Sequence, residues 1–250
     1  MKRIKKTKPL IVMPVTLDDG RTINVIRDDA LEGGTKSRGL PALFGAYPEV
    51  SEWVYASPTT GYAQIALAYC AKQTGRKATV FVPKRAKLSP YTQRAIEWGA
   101  DIRQVNMGFL KNCQRAAARY VEGQANKACR LVPFGVNHPA MTAEITKAAK
   151  LLPEDPKEVW CVFGSGTLTR SLQKAWPNAE HNIVLVGREP SMGETGIAAH
   201  VFRAKEGFSQ NAKIQPPFTC VANYDAKAWQ FVLRYAEDGA YFWNVGAEIK

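Results

Sequence analysis

The chain is poor in the residues that build metal sites and covalent cross-links. It has three histidines and five cysteines in 250 residues. His138, His181 and His200 show no ligand spacing to one another or to a cysteine, which argues against a zinc site. Cys70, Cys113, Cys129, Cys161 and Cys220 are scattered, with no Cys-x-x-Cys pair. The expectation is reduced thiols in a cytoplasmic setting rather than a disulfide frame. No apolar run approaches the roughly 20 residues of a membrane span. The basic segment 1–8 is not followed by the apolar stretch of a secretory signal, so no membrane association is expected. Internal repeats and low-complexity segments are also missing. Acidic residues are scarce: 22 Asp and Glu face 34 Lys and Arg, leaving a net charge of +12. Such an excess attracts polyanions at long range. The alternative is a basic surface that serves only an acidic cofactor and substrate. The one dense run, Lys2-Arg3-Ile4-Lys5-Lys6-Thr7-Lys8, also reads as a solvated tail.

What is present is an alternating pattern. Hydrophobic residues make up 46% of the chain, enough to bury a full core in one domain or two closely joined subdomains. Residues 54–56 enter a loop; 63–74 read as a helix closing at Gly75; 78–82 read as a strand stopped by Pro83. Helices are predicted over 89–98, 110–123, 140–151 and 169–176, and strands over 101–105, 159–163 and 183–186. This βαβ rhythm predicts an α/β fold with a doubly wound, mostly parallel sheet. Pro153-Glu154-Asp155-Pro156 and Pro216-Pro217 mark loops.

Two segments carry chemistry. The strand Val159-Trp160-Cys161-Val162-Phe163 runs into Gly164-Ser165-Gly166-Thr167 and then a helix. That order gathers free backbone N–H groups and a helix N-terminus into one anion nest, to which Ser165, Thr167 and Thr169 can add hydroxyl donors. It is not a Walker-A loop, because no Gly-Lys-Ser/Thr follows. It is an incomplete dinucleotide fingerprint, with Thr169 at the third glycine position, although Glu189 after the next strand keeps that reading open. A ligand-free tight turn is the third reading. The other segment is Gly33-Gly34-Thr35-Lys36-Ser37-Arg38. A lysine behind two glycines is ordinarily an exposed loop residue. Joined to a phosphate-type loop, it supplies the covalent amine that pyridoxal phosphate requires beside an anion nest.

The order of motifs resembles the fold-type II pyridoxal-phosphate enzymes, the group of tryptophan synthase β, cysteine synthase, D-cysteine desulfhydrase and aminocyclopropane-carboxylate deaminase. Arg27-Asp28-Asp29 followed by Gly33 to Arg38 is similar to the family's Schiff-base lysine segment. Ser57-Pro58-Thr59-Thr60-Gly61 before an alanine-rich helix resembles its substrate-carboxylate loop. Gly75 to Pro83, Gly99-Ala100-Asp101, the loop from Gly164 to Thr169, and Val186-Gly187-Arg188-Glu189-Pro190 look like the landmarks that follow. Asn223-Tyr224-Asp225-Ala226-Lys227 is similar to a segment of the deaminase and desulfhydrase branch. Where the family has an asparagine on the cofactor's phenolic oxygen, this chain has Tyr62, and it is shorter than typical members.

The resemblance implies two doubly wound open-sheet subdomains, the larger one cofactor-binding (1–55 and 136–250) and the smaller one 56–135. It assigns catalysis to Lys36 and Tyr224. Cofactor binding falls to Lys36, Gly164, Ser165, Gly166, Thr167, Asp225 and Tyr62, and substrate binding to Ser57, Thr59, Thr60 and Gly61. Asp225 would keep the pyridine nitrogen protonated, favouring decarboxylation, deamination or racemisation over β-substitution; the other reading of Asp225 is a helix N-cap. A homodimer is expected. The chain also looks like the compact pyridoxal-phosphate enzymes of bacterial viruses, which remove the carboxylate of amino acids joined to thymine in DNA. Modified double-stranded DNA in a host cytoplasm is then the expected partner, with Lys84, Arg85, Lys87 and Arg94 candidates for tracking phosphates. Three alternatives remain open: a deaminase or desulfhydrase of a free small amino acid, a non-catalytic basic binding module, and a nucleotide or S-adenosylmethionine enzyme.

Overall fold

The structure, a computed structural model, describes residues 8–106, 108–124 and 128–249. Of the basic N-terminal run, only Lys8 lies within the described residues. In chain order the elements are β1 (Val12–Thr16), β2 (Thr22–Arg27), α1 (Lys36–Gly45), β3 (Glu52–Ala56), α2 (Ala63–Gln73), β4 (Lys77–Pro83), α3 (Pro90–Glu97), β5 (Asp101–Val105) and α4 (Leu110–Glu122). Then follow β6 (Cys129–Leu131), α5 (Pro139–Ala149), β7 (Glu158–Phe163), α6 (Thr167–Ala175), β8 (Glu180–Leu185), β9 (His200–Arg203), α7 (Asp225–Tyr235) and β10 (Tyr241–Asn244). Among the described residues, no helix is long and apolar enough to cross a membrane. None of the five cysteines is in a disulfide bond.

The described residues form two compact units, one built on 32–141 and the other on 8–31 with 142–248. The first unit is wider than the expected 56–135. Its strand β3 is hydrogen-bonded in parallel to both β4 and β6, and α1 packs on α2, so 32–55 belong with the smaller sheet.

The first unit holds an all-parallel sheet in the order β5-β4-β3-β6. α2 is buried on nearly every side, and its alanines let neighbouring backbones approach. α3 starts sharply because Ser89 caps it and Pro90 occupies its first turn. α4 is amphipathic: Cys113 and Ala117 pack on Val54, Ala56 and Phe81, and its basic residues face outward.

The second unit holds a six-stranded sheet in the order β1-β2-β10-β7-β8-β9, parallel except for the β1–β2 hairpin. That hairpin was not expected, although Asp19-Gly20 between two apolar runs is a hairpin signal. All six residues of β7 are buried, as befits a central parallel strand. Aromatic rings fill the core: Phe218 meets Trp229 edge-on at 5.0 Å, and both pack on Phe242 of β10. Truncating such a ring costs about 3–5 kcal/mol.

Candidate active-site elements

Lys36 is the first residue of α1, half-buried rather than exposed on a loop. The glycines before it are required by the turn. Gly33 and Gly34 have φ of 80° and 62°, in the left-handed region. A Cβ on Gly33 would lie 2.6 Å from Ala66 Cα of α2. The turn is closed by the Ser37 N–H and hydroxyl, which both donate to the Gly34 carbonyl, at 2.9 and 2.8 Å. Lys36 is thereby set at a fixed point on a rigid element. Just before the turn, Glu32 accepts from Arg94 Nε and Nη2, at 3.1 and 2.9 Å, and from Trp98 Nε1 at 2.6 Å. Arg94 also pairs with Glu97. Its guanidinium is committed to carboxylates within its own unit.

In the same unit, β3 leads through Ser57–Tyr62 into α2. Ser57 is fully buried; its N–H donates to the Phe81 carbonyl at 2.9 Å and its hydroxyl to the Pro58 carbonyl at 3.0 Å. The loop is shaped by a side chain that sequence reading missed. Gln64, fully buried on the first turn of α2, donates Nε2 to the Gly61 carbonyl at 3.0 Å and to the Thr59 carbonyl at 3.4 Å. Its Oε1 accepts from Thr92 Oγ1 at 3.1 Å, and the Ser89 hydroxyl donates to the Thr59 carbonyl at 2.6 Å. The helix cap of α3 thus doubles as a strut under Thr59. Tyr62 stands at the start of α2, its ring 6.1 Å from Tyr91 in an edge-on arrangement.

The second unit carries the glycine loop. β7 ends at Phe163 and α6 begins at Thr167, two residues earlier than expected, leaving only Gly164, Ser165 and Gly166 between them. Gly166 caps α6 with φ 74°. The Ser165 and Thr167 hydroxyls lie 3.2 Å apart. Thr169, expected as a further anion donor, instead points back to the strand: its hydroxyl meets Cys161 Sγ at 3.5 Å and it is buried. Arg170, not singled out from the sequence, lies across the loop. Its Nη2 donates to the Ser165 carbonyl at 3.4 Å, and Nη1 would be 2.5 Å from a Cβ on Gly166. The signal was its place four residues after Gly166, one helical turn on.

Tyr224 and Asp225 stand in this unit as well. The Tyr224 hydroxyl sits against Gly164 so closely that a Cβ there would collide with it. Asp225 is fully buried and is the first residue of α7; the cap position belongs to Tyr224, with φ −131° and ψ −87°. The N-cap reading of Asp225 is therefore replaced. Its Oδ1 accepts the Val245 N–H at 3.3 Å, tying the segment after β10 to the start of α7. Burial, reinforced by the negative field of Asp225, pushes the Cys161 thiol up to about 12 and the Cys220 thiol higher still. Lys227, two residues on, is fully buried; its Nζ donates to the Gly207 and Phe208 carbonyls at 2.8 and 3.2 Å, and burial lowers its pKa. It ties the 205–210 loop to α7.

No family model and no curated protein matches the chain at the level of sequence. Solved structures match its fold. An ACC deaminase homologue superposes with a TM-score of 0.85 at 13% identity, covering 98% of this chain and 91% of that one. A threonine deaminase from T.th. gives 0.74 at 15% identity, with 98% and 93% covered. Serine racemase from Dictyostelium discoideum gives 0.70 at 15%, again with 98% and 93% covered. The fold of the chain is that of the fold-type II pyridoxal-phosphate enzymes, as the order of its motifs led one to expect.

Proposed function

We propose that the chain is a pyridoxal-phosphate-dependent lyase. The observation that carries this reading is Lys36, set by a paired-glycine turn at the head of α1 in a fold whose solved neighbours include an ACC deaminase homologue and a threonine deaminase. The residues present fit the cofactor. The Gly164–Thr167 turn offers backbone N–H groups, two hydroxyls and the Arg170 guanidinium, a donor set suited to a phosphate. Asp225 offers a carboxylate shielded from water, suited to holding a proton on a ring nitrogen. When bound, pyridoxal phosphate supplies an electron sink for negative charge developing at the substrate Cα.

The chain's own residues do the rest. Lys36 provides the covalent amine anchor and then a base or acid at Cα. Tyr224, beside Gly164, holds a hydroxyl proton within the same unit as the phosphate turn. Ser57, Thr59, Thr60 and Gly61 orient the substrate carboxylate, with Gln64 bracing their backbone, and the Tyr62 hydroxyl takes the place of the family's asparagine. The substrate we assign is an amino acid joined to a modified thymine in double-stranded DNA, losing its carboxylate. The net charge of +12 supports this choice. A deaminase or desulfhydrase acting on a free small amino acid is the second reading; two solved neighbours, a threonine deaminase and a hydrogen sulfide-producing enzyme, favour it.

Borohydride reduction of the cofactor-supplemented protein, followed by peptide mapping, tests the cofactor. A pyridoxyl adduct on Lys36, abolished in Lys36→Ala, is expected; no adduct anywhere would end the lyase reading. Carbon dioxide released from duplex-borne amino acids, against keto acid formed from free ones, separates the two substrates.

A further inference from the structure

The first unit has a polarised sheet. All four strands run the same way, so their starts form one edge and their ends the other. Acidic residues occupy the starting edge and are engaged there: Glu52 and Asp101 both pair with Lys77, at 3.3 and 3.4 Å, and Arg103 pairs with Asp101. At the finishing edge the charged residues that follow the strands are basic. Segments 83–96, 106–121 and 128–138 contain no Asp or Glu. Arg85 follows β4 and its guanidinium lies against Gly108, where a Cβ would be 2.5 Å away. Lys111 and Arg115 sit one turn apart at the start of α4, which has no acidic residue in its first turn. None of the three forms an ion pair among the described residues. Three cations gathered without a counter-charge at the N-terminal end of a helix are disfavoured by the helix dipole, and an anion resting there relieves the repulsion.

Beside them lies an apolar groove of about 520 Å³, lined by Tyr55 at the end of β3, by Leu131 and Phe134 at and beyond the end of β6, and by Lys111, Gln114 and Arg115 of α4. β4 and β5 stack to one side of β3 and β6 to the other, so the strand order reverses between β3 and β6. Open α/β sheets bind ligands outside the strand ends at such a reversal. Leu131 and Phe134 remain 36% and 39% exposed there. An apolar floor with a cationic rim matches a nucleotide, whose base is flat and apolar on its faces and whose phosphate is anionic.

We propose that this edge binds a strand of DNA, with phosphates on Arg85, Lys111 and Arg115 and one base on the groove floor beside Phe134. The proposal rests on the reading that the substrate is carried by DNA, and it names the face that holds the carrier. Unlike Arg94, these cations are not committed to carboxylates.

The test is fluorescence anisotropy of the cofactor-loaded full chain with labelled duplex and single-stranded oligonucleotides across a salt series. The wild type is expected to bind with an affinity that falls steeply with salt. Lys111→Glu combined with Arg115→Glu is expected to weaken binding at least about tenfold and to flatten the salt slope by about two. Phe134→Ala is expected to weaken single-strand binding about fivefold or more without changing the slope. Retention of the Lys36 adduct in each variant certifies its fold. If the wild type does not bind, binds without salt dependence, or prefers phosphatidylserine vesicles to DNA, both this proposal and the DNA-linked reading fail. If the wild type binds and the double variant binds as well, the surface is wrong and the DNA-linked reading stands. An unchanged Phe134→Ala overturns the base in the groove.

Discussion

Each unit contains a strand that turns through a short loop into a helix, and the two turns are built by opposite means. In the second unit, Gly164-Ser165-Gly166 is shaped by backbone: a left-handed glycine caps α6, and three residues span the turn. In the first unit, Ser57–Tyr62 is longer and is shaped by side chains. Gln64 grips two of its carbonyls, and Thr92 and Ser89 reach in from α3, about thirty residues along the chain. A backbone-built turn tolerates trimming of its side chains but not a Cβ. A side-chain-built turn depends on one buried amide remaining satisfied.

Between the two turns, the largest expected stability effect follows from that amide. Gln64→Leu keeps the volume but removes the hydrogen bonds to the Gly61 and Thr59 carbonyls and leaves the Thr92 hydroxyl with Ser89 alone, costing about 1–3 kcal/mol. Urea unfolding measures the loss, and a midpoint equal to wild type would show that the network does not hold the loop. Gly166→Ala comes next: a left-handed backbone with a side chain costs about 1–2 kcal/mol, and the new Cβ would press on Arg170 and Phe163. Ser165→Ala in the same turn is expected to shift stability by less than about 0.5 kcal/mol. If the serine mattered as much as the glycine, the contrast between the turns would collapse. Ser89→Ala removes both a helix cap and a strut, with an expected loss of about 1 kcal/mol; its excess over an ordinary cap deletion measures the strut.

The smallest effect is electrostatic and confined to the second unit. Hydrogen bonds from the Arg188 guanidinium and the Ser191 N–H hold the Glu194 carboxyl at about 2, against an ordinary 4.5. The folded pKa lies below the unfolded one, so this pairing stabilises fully above about pH 4.5 and is lost as pH falls towards 2. Carboxyl NMR should show the Glu194 midpoint near 2, rising towards 4.5 in Arg188→Gln. A midpoint already at the ordinary value in the wild type would remove the ion pair from the account.

Much of the fold was legible because parallel α/β elements announce themselves locally. The strand Asp101–Val105 and the helix from Ala63 were read to within a residue, since each is bounded by glycine or proline and has one clear period. Tyr241–Asn244 was not read as a strand. Four residues carry no period, and only pairing with β2 and β7 makes them the centre of a sheet. The candidate site divides in the same way. Glycine turns reveal themselves because glycine does conformational work that no other residue does as readily. Gln64, Arg170 and the commitment of Arg94 to Glu32 stayed hidden, because their partners are set by packing rather than by spacing.

By itself the sequence determined the alternation of strands and helices, the glycine turns before Lys36 and α6, and the excess of positive charge. These are local or additive properties, written in neighbouring residues and in composition. Only the tertiary structure decided which cations are neutralised by carboxylates and which stand together without one, that Asp225 is buried at the head of α7 rather than capping it, and that β10 completes the sheet from its middle. Each of these depends on contacts between residues distant in the chain, where burial and hydrogen-bond satisfaction override local preference.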